Sequence, residues 1–177
     1  WVIASGEQLF GVTPFGWRIG VAVLGILSVL LVARIVRRLT RSNLIGTLAG
    51  LLLAIDGLAI VMSRTALLDN SLMFFVIVAF GALDRDQSRK KLAALGENLT
   101  AMGPALWWRP WRIAAGISLG LACGVKWSGL YFIAAFGILT VLWDVGSSRA
   151  IGCKMPFRSM LVRDALPAFI SIVGVAI

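Results

Sequence analysis

The sequence predicts an all-α fold, a polytopic bundle of transmembrane helices that forms one transmembrane domain over 1–177. Three observations carry that expectation. First, 59% of the 177 residues are hydrophobic and mean hydropathy is +0.93, against about 45–50% apolar in ordinary soluble domains. Second, the apolar residues gather in blocks of roughly 13–20 separated by short charged stretches, as in helices that cross a bilayer one after another. Third, the net charge of +9 lies in those stretches rather than in one tail. A basic chain raises nucleic-acid binding as a reading, but this placement follows the positive-inside rule, under which cytoplasmic loops collect Lys and Arg. No nucleic-acid partner is expected. The chain opens on Trp1 without Met and closes on an apolar SIVGVAI. It is expected to be an internal part of a longer membrane protein.

The elements follow in order. GEQLFGVTPFGWRIG (Gly6 to Gly20) is a Gly-, Pro- and aromatic-rich lead-in, with Trp17 and Arg18 suited to the interface. A first span is expected over 19–33, about 22 Å long at 1.5 Å per residue, with Arg18 and Arg34 reaching outward to extend it. RIVRRLTRSN reads as a basic loop, and Asn43 as a cap for a second span over 44–62 that contains one charge, Asp56. The short MSRTALLDN stretch leads to a third span over 70–83. DRDQSRKK then opens a longer polar loop that ends in WWRPWR, a Trp- and Arg-rich segment of headgroup depth. Asn98-Leu99-Thr100 matches a glycosylation sequon, discounted because this loop is expected to face the cytoplasm.

From Ile113 to Trp143 the only charge is Lys126, inside GVKWSG. One helix of that length would run about 46 Å, well beyond a hydrocarbon core of about 30 Å. If GVKWSG is instead a tight turn, all of the 17 basic residues except Arg18, Arg64 and Lys126 fall on one side. The positive-inside rule therefore favours two short spans, 113–125 and 129–143. A cytoplasmic loop follows, and a sixth span begins near 165 and runs to 177. Cys123 and Cys153 lack metal-ligand spacing and the chain has no His, so both read as ordinary thiols.

This topology brings Arg64 and Lys126 to the same outer, extracytoplasmic face. Two cations at that depth suit a lipid-linked phosphate, which Arg grips as a fork and Lys as a point charge. Asp56, eight residues before Arg64, is an ionisable group within an apolar run and so a functional candidate. It also fits a hydrogen bond between helices. Asp69 fits a helix cap. Arg64 and the Lys126–Trp127 pair equally fit interface anchors. The residues alone thus reach an anion-receptive outer face and leave enzyme and transporter open.

At these positions the sequence resembles the protein O-mannosyltransferases, and their actinobacterial members in particular. The matching stretches are WVIASGEQLFG, LLAIDGLAIVMSRTALLDN, LACGVKWSGLYF and VLWDVG. The resemblance implies a membrane glycosyltransferase of the C superfamily, in the bacterial plasma membrane. Such an enzyme passes mannose from a polyprenyl- or dolichyl-phosphate carrier to Ser or Thr hydroxyls of proteins crossing the membrane, with inversion. It implies Arg64, Lys126 and Trp127 as donor phosphate and sugar contacts, with Asp56 and Asp69 in support. The acidic base of that family lies in a loop upstream of Trp1, so no catalytic base is assigned here, and Glu7 is not given that role. No cofactor and no metal are expected, since the lipid-linked mannose is itself a substrate. The partners implied are the donor lipid, secreted or membrane proteins bearing Ser and Thr, the bilayer and the protein translocation machinery. This part alone is expected to be inactive. Another lipid-phosphate-sugar transferase, or a transporter or flippase for lipid-linked anions, are the alternative readings.

Overall fold

A computed structural model describes residues 2–96 and 110–150, with the backbone alone for 88–96 and 147–150. The expected span over 165–177, the Asn98 sequon, Trp107, Trp108 and Cys153 lie outside the described residues. Every element among the described residues is an α-helix. They fall into two compact units, Trp1–Val78 and Ala79–Ile177.

In the first unit, α1 (Val2–Phe10) packs on α2 (Pro14–Thr40), which also packs on α3 (Asn43–Ile55) and α4 (Gly57–Arg64). The lead-in is therefore partly helical, and α2 is longer at both ends than the 19–33 run. Thr13 starts it: its hydroxyl accepts from the Gly16 N–H at 3.1 Å, and Pro14 fills the first turn, where no N–H is missed. The expected basic loop is mostly helix, because Arg is a good helix former and nothing breaks the run before Thr40. Arg37 and Arg38 lie in its last turn, where positive charge suits the helix dipole. Arg41 then turns the chain in the left-handed region (φ 53°), and Ser42 caps α3 by accepting from the Ile45 N–H.

Close approach of α2 and α3 depends on two glycines. A Cβ on Gly46 would come within 2.6 Å of the Arg37 Cβ, and one on Gly50 within 2.8 Å of the Ala33 Cβ. The outer side of α3 leaves Leu44, Leu48, Leu51, Leu52 and Ile55 exposed, a face that lipid rather than water accommodates.

The second unit begins within α5 (Leu68–Gly96) and adds α6 (Pro110–Val125) and α7 (Gly129–Ala150). The polar stretch expected as a loop from Asp84 continues α5 as far as Gly96, since it contains no Pro or Gly until that point. Ala79, Ala82, Leu83, Ala115 and Leu119 form the core, with Trp111, Phe132, Phe136 and Trp143 packed against it. The apolar stretch 113–143 is two helices that pack on each other. They join through a tight turn in which the Gly129 N–H donates to the Lys126 carbonyl at 2.9 Å. A Cβ on Gly129 would meet the Cys123 nitrogen at 2.7 Å, so the turn closes onto the end of α6.

Among the described residues two helices are long and apolar enough to cross a membrane, Pro14–Thr40 and Gly129–Gly146. A third is added if α3 and α4, bent by 59° at their junction, count as one span.

Candidate functional site

The junction between α3 and α4 differs from the continuous helix expected over 44–62. Asp56 makes the break. Its backbone is extended (φ −66°, ψ 115°), and its carboxylate accepts from the N–H groups of Leu58 at 3.4 Å and Ala59 at 3.2 Å. It thus satisfies two of the donors that the start of α4 leaves over. Asp56 is exposed and serves the kink. It is neither an ionisable group inside a straight helix nor a bridge to another helix.

Arg64 is the last residue of α4, about 12 Å along the axis from Asp56, too far for an ion pair. The turn after it is a Schellman motif: the Leu67 N–H donates to the Met62 carbonyl at 3.2 Å. Ala66 holds the left-handed position at φ 55°, where glycine is usual, at a cost of about 1–2 kcal/mol. The Arg64 guanidinium is exposed and has no partner among the described residues.

Asp69 is half-buried in the first turn of α5, inside the helix rather than at its cap, where negative charge complements the dipole. The neighbouring Asn70 is fully buried, and its side-chain amide donates to the Val21 carbonyl of α2 at 3.0 Å. Gly25 lets α4 lie close to α2, since a Cβ there would come within 2.8 Å of the Ser63 Cβ. Ser63, Asn70, Ala59, Ile60 and Met73 line a cavity of about 340 Å³ beside this turn. The structure therefore gathers Asp56, Arg64 and Asp69 along one short helix and its exit, held to α2 through Asn70 and Gly25.

Lys126 and Trp127 belong to the second unit and occupy the turn between α6 and α7. Both are exposed, Trp127 at 85%. A large indole left this open is placed to stack on a ligand or to sit in the bilayer interface.

One constellation was not foreseen. Arg112, on the first turn of α6, is fully buried between Asp86 of α5 and Asp144 of α7. Its Nε donates to Asp86 at 2.9 Å, and its Nη2 donates to Asp144. Gln87 donates to the other Asp144 oxygen at 2.9 Å. Outside this set, Arg85 stacks on the Trp111 ring with 4.5 Å to the centroid. The network ties three helices through charge, the arrangement needed to keep ionised groups out of water. The signal was an aspartate closing the apolar run before VG, a residue that requires a partner at that depth.

The family model described as dolichyl-phosphate-mannose-protein mannosyltransferase matches residues 1–146. The polyprenol-phosphate-mannose–protein mannosyltransferase of Mycobacterium tuberculosis (strain H37Rv) is 48% identical over 173 residues, covering 94% of this chain and 33% of that protein. The protein of that name from Corynebacterium glutamicum is 41% identical over 176 residues, 96% of this chain and 34% of its own. Dolichyl-phosphate-mannose–protein mannosyltransferase 3 of Saccharomyces cerevisiae is 30% identical over 104 residues, 58% of this chain and 12% of its own. No solved structure matches. The chain spans about a third of the length of the bacterial relatives it matches. The match runs from α1 through the bent α3–α4 pair and the Lys126 turn to the end of the α7 span, on a scaffold whose apolar helices make this an integral membrane protein. The chain belongs to the dolichyl-phosphate-mannose-protein mannosyltransferase family.

Proposed function

We propose that the protein transfers mannose from a polyprenyl-phosphate carrier to Ser or Thr hydroxyls of proteins, with inversion at the anomeric carbon. The observation that carries this reading is Arg64, an exposed guanidinium at the kinked helix exit without a partner among the described residues, in a chain of this family. The acceptor hydroxyl oxygen attacks C1 of mannose as the bond from C1 to the phosphate oxygen breaks. The lipid phosphate leaves with the electron pair, and the hydroxyl proton passes to a carboxylate base.

Arg64 and Lys126 hold the donor phosphate and stabilise the charge that grows on it, and Trp127 packs on the sugar. Asp56 and Asp69 support Arg64 indirectly, by fixing the helix that carries it and the helix that follows. The reaction needs no bound cofactor or metal, because the sugar arrives already activated as a phosphodiester. The site faces the extracytoplasmic side of a bacterial plasma membrane, and the acceptors are proteins emerging from the translocation machinery.

The test uses membranes from cells expressing the protein at full length, supplied with polyprenyl-phosphate mannose and a Ser/Thr-rich peptide. Mannosyl peptide should form, and the new linkage should be α if the donor is β. No product with donor and peptide both intact would overturn the reading and favour transport of lipid-linked anions.

A further inference from the structure

A second cavity in the first unit runs along the α2–α3 hairpin, meets the smaller one at Val29, Leu30 and Ala54, and has its basic end away from Arg64. It is an open groove of about 1090 Å³, just above the range of about 300–1,000 Å³ for small-molecule sites. Its walls are apolar, with Leu27, Leu30, Leu51, Ala54 and Phe74 among them. Its end is not, because Arg34 and Arg37 of α2 line it together with Asn43 and Thr47 at the start of α3.

Length decides what fits. From Leu27 to Arg37 along α2 is about 15 Å, half the roughly 30 Å hydrocarbon core. The groove therefore spans one leaflet, with cations at headgroup depth and an apolar floor near the midplane. Charge decides further. The two guanidiniums are three residues apart on one helical face, where like charges repel, and both are exposed without a partner among the described residues. The first unit contains only three acidic residues, Glu7, Asp56 and Asp69. Glu7 is on α1, which crosses the far half of α2 near Gly16 and Gly20. Asp56 is at the start of α4 and Asp69 at the start of α5. No carboxylate of this unit complements the pair, whereas a phosphodiester does.

We propose that the α2–α3 groove seats an anionic phospholipid of the bilayer, its phosphate between Arg34 and Arg37 and its acyl chains along Leu27, Leu30 and Leu51. Gly46 and Gly50 set the depth of this seat by letting α3 close onto α2. The lipid is drawn from the leaflet at the basic end of the hairpin, the leaflet opposite the one Arg64 faces. It is thus distinct from a donor held at Arg64.

The experiment is native mass spectrometry of the full-length protein in detergent with phosphatidylglycerol and, separately, phosphatidylcholine of the same acyl chains. Phosphatidylglycerol should be retained preferentially. The Arg34→Gln/Arg37→Gln double variant should weaken its retention about 30-fold, from roughly 1 kcal/mol for each basic residue near an anionic headgroup. The Arg34→Lys/Arg37→Lys variant should recover most of it. Leu51→Trp, which narrows the channel and leaves the charges in place, should also lower retention. Equal retention of the two lipids overturns the proposal. So does retention of phosphatidylglycerol unchanged in both the Gln and Trp variants, or a groove that takes no lipid because another part of the polypeptide fills it.

Discussion

Replacing Arg112 by Met tests whether the buried network holds the second unit together. The Arg112 side chain is 1% exposed, and those of its partners Asp86 and Asp144 are 4% and 2% exposed. A pair at the surface would contribute about 0–1 kcal/mol. Here water cannot take over from the guanidinium, and Met removes the ion pairs that both carboxylates make with it. Breaking a buried pair in this way costs about 3–5 kcal/mol, a large share of the ~5–15 kcal/mol by which folded domains are held. Equilibrium unfolding of the full-length protein in mixed micelles, followed by tryptophan emission, measures the loss. The companion is the triple variant Arg112→Met/Asp86→Leu/Asp144→Leu, which removes the three charges and leaves Gln87 in place. It should regain much of the stability, because apolar replacement of a complete buried ion cluster is often neutral or favourable. A single-variant cost below about 1 kcal/mol, or a triple variant no more stable than the single, would refute the reasoning.

Three further outcomes are expected. Asp56→Ala removes the cap from α4 and should cost about 1 kcal/mol, while Asp56→Asn keeps most of it; the same unfolding measurement separates them. Gly50→Leu forces a side chain into the space of the Ala33 Cβ, 2.8 Å away, and should cost about 1–3 kcal/mol by overpacking. A crosslink between cysteines placed on α2 and α3 should form more slowly in that variant. Trp127→Ala removes a side chain that is 85% exposed, so stability should change by less than about 0.5 kcal/mol. The KM for polyprenyl-phosphate mannose should nonetheless rise.

The helical character of the described residues was legible in the sequence, because apolar runs of roughly 13–20 residues suit spanning helices and are longer than the strands of a barrel. The Lys126 turn was legible from charge sidedness rather than from any local breaker. The α3–α4 break was hidden by the apolar residues on both sides of Asp56, although Asp-Gly is itself a turn signal. Arg34–Thr40 and Asp84–Gly96 are polar and so resemble loops, yet both are helical. Arg, Lys, Gln and Ala are good helix formers, and neither stretch contains an interior Gly or Pro. The sequence places Arg64 at a helix end and Lys126 and Trp127 in a turn, and the structure has them there. The Schellman turn after Arg64 and the Asn70 anchor to Val21 were not legible, since both depend on backbone geometry between elements. The Arg112 network was out of reach for a similar reason. Asp86, Arg112 and Asp144 sit on three helices, and periodicity along one helix says nothing about convergence with another.

The central claim is that Arg64 stabilises charge on the leaving lipid phosphate. The direct test is the rate of mannosyl transfer by the full-length protein at saturating donor, compared among wild type, Arg64→Lys and Arg64→Ala at equal protein level. Loss of a positioned charge-stabilising group costs about 10²–10³ in kcat. The account predicts a fall of that order for Arg64→Ala and a smaller one for Arg64→Lys, which keeps the charge but loses the fork. An unchanged kcat in Arg64→Ala would contradict it and leave Arg64 as an interface anchor.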